Sequence, residues 1–174
     1  GRSLDRPPSV APWTYLVPRD IPFMTAEPVK PQAVVRTEES LDLDNRSRPG
    51  DLAPGLSMVG KPLRYARLKN AAGLCRQGGA MTAQSSTQHE NLDRDGLYAP
   101  AVVLDFGKIV TAHLRLDLDG TAGGMIDIGY AERLIDGHFN IAMECEFADR
   151  YIMKDGRQIF ETAYWHSFRY LKLR

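Results

Sequence analysis

Ten of the eleven prolines fall in residues 1–62, and this clustering limits the fold more than any other feature of the chain. Proline fixes φ and has no N–H to donate, so it disfavours helix interiors and central strands. The first third is therefore predicted to be extended and turn-rich, a connector followed by edge strands. In Pro18-Arg19-Asp20-Ile21-Pro22-Phe23 and Pro28-Val29-Lys30-Pro31 the residues before each proline are biased towards extended conformations, giving a semi-rigid connector. A short strand is expected at Ala33–Thr37. A second is expected at Leu63–Leu68, with Leu63, Tyr65 and Arg67 on one face and Arg64, Ala66 and Leu68 on the other. Residues 71–96, rich in Gly, Ser, Gln, Thr and Asp, read as a long loop with a helical turn near Ala71.

From Ala101 onward the period becomes two. Val102, Leu104 and Phe106 alternate, as do Leu114, Leu116 and Leu118, and then Ile126, Ile128 and Tyr130. Asp119-Gly120 through Gly123-Gly124 supplies a turn, and Asp136-Gly137 and Asp155-Gly156 are hairpin signals. The last run, Phe168-Arg169-Tyr170-Leu171-Lys172-Leu173, is a strand with apolar residues on both faces, so alternation leaves its inward side open. Short strands, Gly-centred turns and no convincing amphipathic segment of helix length predict an all-β fold. Its expected form is an antiparallel β-sandwich, jelly-roll-like, with a proline-rich N-terminal connector. Residues 1–32 are expected to be a connector from a preceding domain and 33–174 the sandwich, the whole being a piece of a longer protein.

Twenty-two basic against 22 acidic side chains give no net charge, which argues against nucleic acid and anionic membranes as partners. No apolar run approaches the ~18 residues of a membrane span. Cys75 and Cys145 make neither a disulfide framework nor a metal site by themselves, and no cofactor is expected. Nucleophile-elbow, phosphate-loop, dinucleotide-loop and zinc-helix signatures are missing, and His89-Glu90 lacks the second histidine that a zinc helix needs. His89, His113, His138 and His166 are scattered, and packing or surface roles suit each of them.

Glycoside hydrolysis usually requires two carboxylates, for which Asp105, Glu132, Asp149, Glu144 and Glu146 are the candidates. Asp105, at a strand end before Phe106-Gly107, suits a structural role accepting bonds from the turn. Glu132 and Asp149 each precede an arginine and could pair with it, and no acid and base pair stands out. Asp42-Leu43-Asp44-Asn45, Asp93-Arg94-Asp95-Gly96 and Asp117-Leu118-Asp119-Gly120 offer clustered oxygens, but none continues into a full calcium loop; acidic turns are the reading. No catalytic, cofactor-binding or metal-binding residue is therefore assigned. Among the C-terminal aromatics, Phe168 and Tyr170 suit the core, while Trp165, beside Tyr164, is the candidate sugar contact. Trp13 and Tyr15 suit anchoring of the connector on a neighbouring domain or local packing.

Val103-Leu104-Asp105-Phe106-Gly107, Gly129-Tyr130-Ala131-Glu132-Arg133-Leu134, Asp149-Arg150-Tyr151-Ile152 and Phe168-Arg169-Tyr170-Leu171 occur in that order. Together they resemble the β-sandwich domain that precedes the catalytic helical barrel in α-L-rhamnosidases. The resemblance covers roughly residues 100–174, and Pro18-Arg19-Asp20-Ile21-Pro22 is similar to the family's connector, whereas 38–96 match nothing. It implies a multidomain glycoside hydrolase that removes terminal α-L-rhamnose with inversion, its acidic residues lying on the barrel. The chain would then be a non-catalytic module, inactive alone, partnered by the catalytic domain of the same polypeptide and by a rhamnose-containing glycan. The alternative is an independent carbohydrate-binding module.

Overall fold

Four strands of the second half and one of the first assemble into a five-stranded antiparallel sheet, and other described elements cover its two faces. The structure, a computed structural model, describes residues 20–41, 49–86, 97–142 and 147–174. In chain order the elements are β1 (Ala33–Leu41), α1 (Pro49–Ser57), β2 (Arg67–Lys69), a 3-10 turn (Ala71–Cys75), β3 (Thr82–Gln84), β4 (Tyr98–Ala112) and β5 (Arg115–Gly120). There follow β6 (Met125–Ala131), β7 (Leu134–Ile135), β8 (His138–Phe139), β9 (Ala148–Ile152), β10 (Gly156–Glu161) and β11 (His166–Leu173). The main sheet has the order β1-β4-β11-β6-β9, and β5–β10, β2–β3 and β7–β8 form separate two-stranded ribbons.

One face of the main sheet carries Val102, Leu104, Phe106, Val110, Ile128, Tyr130, Phe168 and Leu171. Leu114, Leu116 and Phe160 of the β5–β10 layer, with Leu68, Leu74 and Met81, pack against it. The other face carries Val103, Ala131 and Ala148 and is closed by Leu52, Ala53 and Leu56 of α1 together with Phe139 and Ile141. Because both faces are covered, β4 is buried without interruption from Tyr98 to Leu104. The fold is all-β in antiparallel sheets, as the alternation predicts.

The proline argument misses α1, which lies inside the proline-rich third. Pro49 stands at its first residue, where an N–H has no intrahelical partner anyway. Pro54 lies inside the helix but on its exposed side, so its cost is one intrahelical bond, while Leu52, Ala53 and Leu56 are buried. Burying each leucine contributes about 1.5–3 kcal/mol, enough to offset that loss.

Two further expectations change. The strand expected at Leu63–Leu68 shrinks to Arg67–Lys69, because the amides of Arg64, Tyr65 and Ala66 all donate to Glu39 Oε2, at 3.0, 2.8 and 2.8 Å. A carboxylate has taken the donors that a ladder would need. Asp136-Gly137 does turn a hairpin, both residues having positive φ, at 50° and 75°, as a two-residue reversal requires. Asp155-Gly156 does not: β9 pairs with β6, and β10 with β5. The segments β5–β6 and β9–β10 pass together from the outer layer into the main sheet. Their corners are tied by Gly123 N–H to Met153 O (3.0 Å), Met153 N–H to Gly124 O (2.7 Å) and Ala122 N–H to Asp155 Oδ1 (2.7 Å).

The open question of β11 is settled by a register shift. Phe168 faces Val110 and Tyr170 faces Asp105, so two steps on β11 span five on β4. Side chains change phase there: Phe168 and Leu171 enter the first core, while Tyr170 packs against the α1 side. Gly107, with φ +78°, forms the extra turn, and Asp105 binds its N–H at 2.6 Å while holding Arg169 through two bonds of 2.9 Å. The structural role read for Asp105 holds, and Arg169 keeps its carboxyl below the usual carboxylate range.

On the α1 side, Lys172 is only 1% exposed and its Nζ donates to Glu38 Oε1 at 2.6 Å and to the Met58 carbonyl at 3.3 Å. Removing one partner of such a pair leaves a buried charge without compensation. Lys172→Met is expected to lower the urea-unfolding free energy by about 3–5 kcal/mol, whereas the double variant Glu38→Leu/Lys172→Met regains most of that loss. Equal losses in the two proteins would show that the pair does not organise this face.

Candidate functional site

Tyr164 and Trp165, between β10 and β11, are 52% and 58% exposed, unlike the aromatic residues of the two cores. Tyr164 is held from behind: its hydroxyl donates to Asp149 Oδ1 at 3.0 Å. The other oxygen, Oδ2, accepts from Tyr130 at 2.9 Å. Tyr130 is fully buried, and burial first, then the Asp149 charge, pushes its phenol far above its ordinary value. It serves as a neutral donor.

His166 lies against Tyr130 with ring centroids 4.0 Å apart and 16° between planes, and Phe147 and Tyr164 flank it at 5.7 and 5.0 Å. Its Nε2 is 3.6 Å from Asp149 Oδ2, beyond hydrogen-bond range, and has no other partner. Desolvation lowers the imidazole below its ordinary value, and the nearby Asp149 charge only partly opposes this. The cluster is a carboxylate fixed by two phenols beneath a half-exposed aromatic pair. It can present rigid apolar ring surface, while its acid is already engaged.

Asp149 does not pair with Arg150, contrary to expectation, because adjacent strand residues point to opposite faces. Arg150 instead grips buried Asp127 at 2.6 and 3.0 Å, and Arg174 approaches the same carboxylate at 3.7 Å. Asp117 lies within strand β5, not in the acidic turn expected there, and is held by Arg157 of the paired strand at 3.0 Å on the surface. Glu132 is exposed after β6. His113 Nδ1 meets Thr162 O and His138 Nδ1 meets Arg36, each at 2.9 Å. Cys75 is a free, partly buried thiol. Among the described residues, no group of three or more His, Cys, Asp or Glu is placed to hold a metal, and no helix is long and apolar enough to cross a membrane. Trp13, Tyr15, His89, Glu144, Cys145, Glu146 and the 42–45 and 93–96 acidic segments lie outside the described residues.

The sequence places Tyr164 beside Trp165 and names Asp149, Tyr130 and His166 one by one, but does not show that Tyr130, Tyr164 and His166 meet around Asp149. The available signal was the set of polar-tipped aromatics in otherwise apolar strands. A depressed imidazole binds a proton more readily when unfolded, so the unfolded state gains protons first as pH falls below about 6.5. Stability is therefore expected to be fully present above that pH and to decline below it, through the lowered folded value. Melting temperatures of the wild type and His166→Phe between pH 8 and 5 check this: the variant should show the shallower slope, and parallel curves would exclude His166 as the cause.

Residues 97–174 match the family described as the bacterial alpha-L-rhamnosidase concanavalin-like domain. Among solved structures, the GH78 family rhamnosidase of Bacillus sp. GL1 shows 28% identity and a TM-score of 0.40, over 42% of this chain and 8% of that one. The alpha-L-rhamnosidase from Dictyoglumus thermophilum shows 25% identity and a TM-score of 0.38, over 42% of this chain and 9% of that one. The match thus covers less than a tenth of the length of either enzyme. No curated protein matches it. The family segment begins just before β4 and takes in every later strand of the main sheet and the whole Asp149 cluster. Over these residues the chain is similar to the bacterial alpha-L-rhamnosidase concanavalin-like domain.

Proposed function

We propose that the chain is a non-catalytic β-sandwich module of an α-L-rhamnosidase-like glycoside hydrolase and packs on the catalytic domain of the same polypeptide. The match of residues 97–174 carries this reading. The state of the carboxylates supports it. A glycosidase needs one acid to donate a proton and a second to act as nucleophile or base, both facing the substrate. Here Asp105, Asp127 and Glu38 are bound to Arg169, Arg150 and Lys172, and Asp149 to two phenols. We take residues 1–32 as the connector and 33–174 as the sandwich domain, since β1 pairs with β4 from Ala33 to Leu41 although it precedes the family segment.

A second reading, an independent carbohydrate-binding module, is favoured by the exposed pair Tyr164 and Trp165. A pyranose presents an apolar face that stacks on such rings, and Tyr164 is already fixed by Asp149.

One experiment separates these readings from catalysis by the chain itself. Purified residues 1–174 should not hydrolyse 4-nitrophenyl α-L-rhamnoside, while the full-length gene product should; turnover by the shorter chain would overturn the accessory reading. For the second reading, calorimetry with rhamnose-containing oligosaccharides should give binding heat that Trp165→Ala removes. That variant should leave unfolding within about 0.5 kcal/mol of wild type, as expected at an exposed site. Absence of heat with the wild type would dismiss sugar binding.

A further inference from the structure

Residues 20–30 are exposed throughout, although they include Ile21, Phe23, Met24 and Val29. Phe23 and Met24 are 83% and 91% exposed, the highest values among the large apolar side chains of the described residues. Single exposed apolar residues are ordinary, but four within nine positions form a stripe of the kind that marks an interaction surface. The segment is also aimed. Its C-terminal end is fixed where Pro31 is buried and Gln32 N–H donates to Asp105 O at 2.7 Å, beside the Gln32 side chain that lies against Gly107. Pro22, Pro28 and Pro31 restrict the backbone along its length, so ordering it on a partner loses less entropy than ordering a glycine-rich linker.

We propose that Asp20–Lys30 is a docking arm, which seats Ile21, Phe23 and Met24 in an apolar groove of the adjoining catalytic domain of the same polypeptide. This rests on the accessory-module reading given above. A covalently joined domain is the favoured occupant for two reasons. The aligned stretch covers less than a tenth of the rhamnosidase chains it resembles, and the sequence before the arm continues in the same character, with Trp13, Tyr15, Leu16 and Val17 among prolines. An arm tethered at Gln32 meets such a groove at high effective concentration, so a short apolar stripe suffices.

The test uses the full-length polypeptide, wild type and Phe23→Ser/Met24→Ser, with Ile159→Ser on β10 as an exposed apolar control. Brief proteinase K digestion, mapped by mass spectrometry, should cut within residues 20–30 at least tenfold faster in the double variant than in wild type or control. Calorimetric unfolding should also split from one coupled transition into two. Equal cleavage and an unchanged thermogram would overturn the docking arm. A concentration-dependent dimer of the wild type that the double variant abolishes would overturn it too, making the occupant a second copy. A full-length product without rhamnosidase activity, in wild type and variants alike, would instead remove the accessory-module reading beneath it.

Discussion

The contact on which the α1 face depends is the buried bond between Lys172 and Glu38. β1 and β11 are not neighbours; β4 lies between them, so the pair reaches across the central strand of the sheet. Phe139 lies 6.0 Å below the ammonium, and Arg36 approaches the other Glu38 oxygen at 3.9 Å. Burial lowers the lysine from its ordinary value, and the glutamate opposes that. A pair of this kind adds little net stability compared with apolar residues of the same volume, because desolvation consumes most of the attraction. What it supplies is geometry. Met58, which follows α1, gives the ammonium a second acceptor through its carbonyl, which ties the end of the helix to this face. Close approach completes the fit, since a Cβ at Gly60 would come within 2.6 Å of the Glu38 side chain.

Glu39 performs the complementary task on the opposite side of the same strand. Strand alternation turns Glu38 inwards and its neighbour towards residues 61–66, where one carboxylate oxygen collects three amide donors. Two successive acids therefore fix two different layers, and they are the reason that β1 extends past Thr37 to Leu41. As isolated charges in a strand they suggest a solvated edge. Their burial is legible only once the partners, 134 residues away for Glu38 and about 26 for Glu39, are known.

The same division runs through the rest of the molecule. Alternation in Val102-Leu104-Phe106 and Ile126-Ile128-Tyr130 identified the first core because those strands keep their phase over the whole run. β11 does not keep phase, and nothing local to Phe168-Arg169-Tyr170 announces the change, whose cause is the Gly107 turn on β4. Asp-Gly pairs were reliable guides to where the chain bends but not to which strands then pair. Asp136-Gly137 closes its own ladder, whereas Asp155-Gly156 turns a corner whose hydrogen bonds come from Thr121–Gly124. α1 was hidden because proline was counted without regard to helix position or exposure.

At the candidate site, legibility stops at the boundary between residue type and residue environment. Trp165 could be proposed from the sequence because it lies in a C-terminal cluster of aromatic rings, which can stack on a pyranose or fill a core, and only the structure shows it exposed. Asp149 could be proposed as an acid, but not discounted as one, because the two phenols that occupy it come from β6 and from the turn before β11. The unpaired His166 nitrogen beside it follows from that arrangement. With both carboxylate oxygens already accepting phenolic protons, the imidazole meets the acid at 3.6 Å and is held by ring stacking instead. The cluster is therefore a rigid support. A ring surface held this firmly loses little entropy when something stacks on it, whether sugar or protein.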